Sequence, residues 1–383
     1  MQRDRAFDSD LLDDPGRLEA TDTGGLLRAA ATAGAQVRST AFAAEEAGLG
    51  RLAGERPRAL VLLTRPGAAP AGASLLLALL GPSCPVPVVM TRSVPMWVGA
   101  LDIVLADTID PGDRELAQGI DRAVRRGAQV VLTAPADGPV ATAAAGRSVL
   151  LVPRIEVPPG LALPRTLTAG LLLLNTLGLL ATDSEVLAGE LDREAERDHI
   201  AHESLVNPAK SLALRLTERT PLLWGTDPVA TAVAEHCAGT LAAYAAVVAH
   251  AAGFHEAAAL SALRREADCA SGETDVFHDP FEDQPQLRGA PAFRPVLLGV
   301  LPESHRDPGR LDPGHVAALD ELPSADVVTA DEELVVRPGE PGAAACAAAV
   351  LALRFDFAAL YLGLGRGVVG GRGWVGSAGS AIG

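Results

Sequence analysis

The stretch Leu101–Val131, LDIVLADTIDPGDRELAQGIDRAVRRGAQVV, decides the fold. It reads as a buried strand over Ile103–Ala106, a turn over Asp107–Gly112, a helix over Asp113–Arg125 and a second strand from Gln129. Strand, tight loop, helix, strand is the repeating unit of a parallel sheet. The loop after such a strand is where an anionic ligand ordinarily sits, because unpaired N–H groups and the helix dipole both favour negative charge there. Here the loop carries Asp107, Asp110 and Asp113. Three carboxylates make a poor phosphate cradle.

Upstream, Ala59–Leu63 (ALVLL) is a continuous apolar run, as expected of a strand covered on both faces. A Gly/Pro/Ala loop over Arg65–Gly72 leads to a helix over Ser74–Leu80, and Val86–Met90 supplies the next strand. Downstream, Val149–Val152 adds a short strand and Thr166–Thr182 an apolar helix. Residues 1–56 read as helical, with a start signal at Thr21–Gly25 and an apolar stripe from Leu26, Leu27 and Ala30. They are expected to clasp the first sheet.

A charged stretch, Glu185–Glu203, bridges to a second half. His199, His202 and Glu203 can share a helix face, but two histidines without a third ligand read as a solvated face, so no metal site is expected. Asn207-Pro208-Ala209-Lys210 breaks the chain before a helix over Ser211–Glu218. Pro221–Gly225 (PLLWG) is another buried strand ending in Gly, followed by Thr226, Asp227 and a helix over Val229–Ala246. This repeats the strand, Gly-containing loop and helix of the first half. Val296–Leu301 and Asp326–Val328 read as further strands, Gly342–Leu364 as a closing helix, and the Gly-rich tail from Gly365 as loosely held.

With 383 residues the chain is long enough for two cores, filled by Leu, Val and Ala because aromatics are only 3%. The net charge of −16 is spread along the chain and argues against a nucleic-acid surface. Cys84, Cys237, Cys269 and Cys346 are far apart, without zinc or redox spacing, and read as free thiols of a reducing cytoplasm. The N-terminus has no apolar signal region, and the longest apolar run, Leu167–Ala181, is interrupted by Asn175. The expectation is a cytoplasmic protein with no membrane partner.

The chain resembles the double SIS-domain bifunctional phosphoglucose/phosphomannose isomerases, in particular their actinobacterial branch. The resemblance rests on the order and spacing of SDLLDDPGRL near the start, GPSCPVPVV (81–89), WVGALDIVLA (97–106), RRGAQVV (125–131), Pro164-Arg165, NPAK (207–210) and DFAALYLGL (356–364). It implies an α/β fold of two SIS-type, flavodoxin-like parallel-sheet αβα sandwich halves, at 57–182 and 211–364. A helical segment at 1–56, a charged linker at 183–210 and a tail at 365–383 complete the chain. It also implies a homodimer, and interconversion of glucose-6-phosphate or mannose-6-phosphate with fructose-6-phosphate through an enediol, without metal or organic cofactor. Such chemistry needs a phosphate anchor, a base and groups that stabilise the developing oxyanion.

The family's first phosphate loop, GMGGS, falls on Thr64-Arg65-Pro66-Gly67-Ala68, where Gly67 alone fits, Pro66 offers no N–H and the serine is Ala68. Its second loop, S-x-S-G-x-T, falls on Thr108-Ile109-Asp110-Pro111-Gly112-Asp113, where Thr108 keeps a hydroxyl. Asp110 and Asp113 stand where donors should, and each would repel a nearby phosphate charge by about 1–4 kcal/mol. Either aspartate also suits a helix cap, the role favoured here. The catalytic glutamate falls on Ala242 and the partner histidine on Ala258, with His255 and Glu256 nearby as substitutes. Arg165 is retained, and the resemblance places it beside the substrate; an ion pair between the halves is its structural alternative. Gly67 and Thr108 are therefore the substrate-binding candidates and Arg165 the catalytic one. Catalysis is expected to be weakened or lost, the alternative being a sugar-phosphate sensor or a dimerisation partner.

Overall fold

The structure, a computed structural model, describes residues 7–146, 148–271, 293–300, 322, 325–330, 334–337 and 339–370. Three N-terminal helices, α1 (Pro15–Thr21), α2 (Leu26–Ala31) and α3 (Ala33–Glu46), precede the first sheet. That sheet comprises β1 (Ala59–Leu63), β2 (Val88–Thr91), β3 (Asp102–Asp107), β4 (Gln129–Thr133) and β5 (Val149–Leu151). The connecting helices are α4 (Ala69–Leu80), α5 (Arg114–Arg125) and α6 (Gly138–Ala144), and α7 (Leu163–Thr176) follows β5. Strand order is β2-β1-β3-β4-β5, all parallel, with Leu60 opposite both Val88 and Ile103.

β3 lies beside β1 at the centre and is buried along its whole length. An apolar strand with both faces covered can end in charge only where the charge is answered. At its start, the fully buried Asp102 accepts from Arg58 Nε and Nη2 at 3.0 and 2.6 Å, and from the Gly99 N–H at 2.8 Å. At its end stands Asp107, which belongs to the candidate site.

The second half repeats the plan. After α8 (Ser184–Arg197) and α9 (Pro208–Leu216) come β6 (Thr220–Gly225), α10 (Pro228–Ala245), β7 (His250–Gly253), α11 (Phe254–Ala258) and α12 (Ser261–Ser271). β8 (Phe293–Gly299), β9 (Asp326–Thr329) and α13 (Ala343–Gly365) complete it. The order β7-β6-β8-β9, again parallel, matches that of the first four strands of the other sheet. Both halves are therefore doubly wound, and each changes winding direction between its first and third strands.

α13 is long and apolar enough by length and composition to cross a membrane, yet it is almost entirely buried within the protein. It carries two buried charges two residues apart, a spacing that turns them to opposite sides of the helix. Arg354 Nε reaches Glu194 Oε1 on α8 at 2.6 Å, and Asp356 Oδ1 reaches His236 Nε2 on α10 at 2.8 Å. The helix is thereby pinned on both flanks. Between α8 and α9, the fully buried Lys210 donates Nζ to the Ile200 and His202 carbonyls at 2.8 and 2.6 Å, tying the turn that joins the two helices.

Several boundaries differ from expectation for local reasons. α4 begins at Ala69 rather than Ser74, and α7 at Leu163 rather than Thr166, because Pro70 and Pro164 sit in first turns, where a missing N–H costs nothing. α7 stops at Thr176 rather than running to Thr182, and Gly178 then takes φ +69°. β2 starts at Val88, two residues later than expected. The N-terminal helices pack largely on α7 and α8 rather than on the sheet itself. Beyond residue 370 the Gly-rich tail lies outside the described residues.

Candidate functional site

Open α/β sheets bind ligands at the carboxyl ends of the strands, where the winding reverses. In the first half that crevice lies between the ends of β1 and β3, and two loops enter it. From the β1 side, Arg65 extends across, its side chain 14% exposed. From the β3 side, Asp113 is the N-cap of α5: Oδ1 accepts from the Leu116 N–H at 2.9 Å, as the sequence suggested for a cap. Its other oxygen, Oδ2, meets Arg65 Nε at 2.8 Å and Nη2 at 2.6 Å. Arg65 Nη1 donates to Glu115 Oε2 at 3.0 Å and to the Arg92 carbonyl at 3.1 Å. A carboxylate at a helix N-terminus, clasped by an arginine, is the arrangement an anionic ligand would adopt. Here the chain supplies the anion itself.

The side chains of the remaining loop candidates make only local hydrogen bonds. Thr108 is buried, and its hydroxyl accepts from the Asp110 N–H at 3.1 Å. Asp110 is exposed and turns back to the Gly112 N–H at 2.8 Å. Gly67 is exposed with φ +117°, a conformation few other residues tolerate.

Arg165, near the start of α7, is only 5% exposed. Its Nε lies 3.5 Å from Asp107 Oδ1 at the end of β3, an ion pair without hydrogen-bond geometry. The partner is thus within the same half, not across the two halves. Burial pushes the Asp107 carboxyl above its ordinary range, against the pull of the Arg165 charge. Among the described residues, Arg165 Nε and Nη2, Asp107 Oδ1, Thr133 Oγ1 and Gln36 Oε1 all lack hydrogen-bond partners. Gln36, Thr133 and Arg165 line one small cavity, and Asp107 and Thr133 an adjoining one. Each has room for about one water.

In the second half the corresponding crevice lies between the ends of β6 and β8. Asp227 fills it: Oδ1 caps α10 through the Val229 and Ala230 N–H groups, both at 2.9 Å, and Oδ2 accepts from the Val300 N–H beyond β8 at 3.0 Å. Gly225 lets the strand end approach the helix; a Cβ there would lie 2.2 Å from the Thr231 nitrogen. His255 and Glu256 sit on α11 at the edge of this second sheet, while Arg165 belongs to the first half. Glu256 lies near Glu235, whose carboxyl is raised first by burial and then by the Glu256 charge. Ala242 lies within α10 and Ala258 ends α11, so neither position supplies a base. Among the described residues no group of three His, Cys, Asp or Glu side chains could hold a metal ion.

No protein-family model matches the chain, and no curated protein matches it in sequence. Solved structures do. A hypothetical protein from Thermus thermophilus superposes with a TM-score of 0.60 at 13% identity, over 94% of this chain and 93% of that one. A candidate phosphosugar isomerase from Bacillus subtilis gives 0.56 at 17% identity, over 88% and 95%. Tagatose-6-phosphate ketose/aldose isomerase from Escherichia coli gives 0.55 at 10% identity, over 89% and 90%. The chain has the phosphosugar-isomerase fold.

Within the phosphosugar-isomerase fold, both winding reversals are occupied by the chain's own carboxylates. Asp113 was expected as a cap, but its ion pair with Arg65 depends on contact across 48 residues. For Asp227, Gly-Thr-Asp-Pro after an apolar strand is a legible cap followed by Pro at the first helical turn, but the reach of its second oxygen to Val300 is not local. In the sequence Asp107 stands only as one of three loop acids; its partner Arg165 lies 58 positions away.

Proposed function

We propose that this chain is a non-catalytic protein of the sugar-phosphate isomerase lineage, acting as a dimerisation partner rather than an isomerase. The observation that carries this reading is the Arg65–Asp113 pair in the crevice where a phosphate would sit. The same substitution of ligand by side chain recurs at Asp227. The base positions add to it, since Ala242 and Ala258 cannot move a proton and His255 and Glu256 lie on the other half from Arg165. Relief of selection on a single ligand would remove anchor and base together.

A coupled assay with glucose-6-phosphate, mannose-6-phosphate and fructose-6-phosphate tests this reading. The expected result is no turnover above the blank by the wild type. Turnover abolished in Arg165→Ala would overturn it. A second reading, a sugar-phosphate sensor, is favoured by Arg165 Nε and Nη2, which donate no hydrogen bond and form the edge of a guanidinium that grips oxygen ligands. For the assembly, light scattering is expected to give the mass of two chains.

A further inference from the structure

Trp224, on the inner strand β6, is fully buried. It packs with Leu222, Phe254, Ala257 and Leu297 in a core built from β6, β8, α11 and α12. The Trp224 and Phe254 rings meet edge to face, 6.5 Å between centres. An indole so placed must still satisfy its N–H. Trp224 Nε1 donates to Nδ1 of His250, on the edge strand β7, at 3.2 Å.

That bond fixes the state of the imidazole. An indole nitrogen only donates, so His250 Nδ1 must offer its lone pair and the single ring proton must stand on Nε2. An imidazolium carries N–H at both nitrogens and cannot accept. Proton uptake therefore sets N–H against N–H and strands a buried donor, so one of the two rings has to move. His250 is half-buried at the sheet edge, and imidazole is the side chain that ordinarily titrates between about pH 5 and 8. β6 brings no titratable side chain to this bond. α10 and α11, which pack against β7, carry Glu235, His236, Cys237, Tyr244, His255 and Glu256. His236 is committed to Asp356 at 2.8 Å, Cys237 and Tyr244 are buried, His255 meets the Phe254 ring, and Glu235 feels the Glu256 charge.

We propose that the Trp224–His250 bond is a proton-operated latch, closed while the imidazole is neutral and opened by acidification, which loosens β7 and α11 from the second core. Phe254 follows β7 directly and packs on Trp224, so a displaced indole reaches α11 through a single ring contact. The edge position favours this response, because β7 is held on one side only, by β6.

The test is the fluorescence of Trp224 in the full chain carrying Trp97→Phe and Trp374→Phe, which removes the other two tryptophans, followed from about pH 8 down to 5. A reversible shift of emission to longer wavelength is expected, with the far-ultraviolet circular dichroism unchanged. His250→Asn keeps an acceptor near the Nδ1 position that acid in this range does not protonate, and should hold the short-wavelength emission throughout. Glu235→Gln should leave the transition in place. Imidazole nitrogen chemical shifts of the wild type at the upper end should show Nδ1 bare and Nε2 protonated, a readout that needs no variant to fold. A proton on Nδ1 there, no shift of emission, or an equal shift in His250→Asn overturns the proposal. So does loss of the transition in Glu235→Gln, which would move the trigger to the Glu235–Glu256 pair, or collapse of the circular dichroism together with the shift, which would be global unfolding.

Discussion

Arg65 and Asp113 face each other across the reversal point of the first sheet, with Arg65 Nη2 2.6 Å from Asp113 Oδ2. One oxygen of Asp113 caps α5 while the other holds the arginine, so a single carboxylate serves both the helix end and the crevice. Both side chains are mostly buried, which leaves the pair less screened than a surface ion pair.

The two residues should therefore be energetically coupled. Asp113→Ala removes both the cap and the pair, and a loss of about 1–3 kcal/mol is expected in urea unfolding. A double-mutant cycle with Arg65→Ala should show a coupling of about 1 kcal/mol or more. Additive losses would mean that the pair contributes nothing beyond the cap.

Lys210 is spent wholly on structure. Lys210→Met removes the donor from the Ile200 and His202 carbonyls and should cost about 2–4 kcal/mol. Burial lowers the Lys210 pKa, as expected of an ammonium held away from water. A loss below about 1 kcal/mol would show that water replaces the ammonium.

Asp198 gives stability a pH dependence of known sign. Burial first, then the Glu194 carboxylate, push its carboxyl well above the ordinary range, while Arg354 and the Ala209 N–H oppose them. The native state then holds the proton to higher pH than the unfolded chain. This contribution is complete below the unfolded Asp value and is lost as pH rises through the raised native one. Urea midpoints should fall over that window in the wild type and flatten in Asp198→Asn. An unchanged slope in the variant would contradict the assignment.

Thiol reactivity should separate the cysteines by depth. Burial pushes the Cys346 thiol up to about 12 and raises Cys237 as well, while Cys84 is only half-buried. A Cys84→Ser/Cys269→Ser variant should show no rapid labelling by a disulfide reagent at mildly alkaline pH, and should label at both remaining thiols once unfolded in guanidinium. Rapid native labelling would mean that α10 or α13 opens locally.

The fold was legible because it rests on local pattern. Leu101–Val131 specifies strand, turn and helix through a continuous apolar run, an Asp cap and a helical stripe, and the observed β3, α5 and β4 lie within a residue of expectation. α4 and α7 start earlier than the sequence pattern suggests, because Pro70 and Pro164 sit in their first turns, where proline is at home. The site was less legible because its decisive contacts are distant in sequence. Arg65 reaches Asp113 over 48 positions, and Asp227 reaches Val300 over 73. A cap can be seen from its own turn, but the destination of its second oxygen depends on which strand the sheet sets beside it. The same holds for Arg165, whose partner Asp107 is set by the packing of α7 over the end of β3.

The chain's own carboxylates fill the positions an anionic ligand would take, and isothermal titration of the full chain with glucose-6-phosphate, mannose-6-phosphate and fructose-6-phosphate tests this most directly. No saturable heat is predicted for the wild type with any of the three. Saturable binding by the wild type that is lost in Arg65→Ala would show that the Asp113 carboxylate yields its place to phosphate, and would contradict the account.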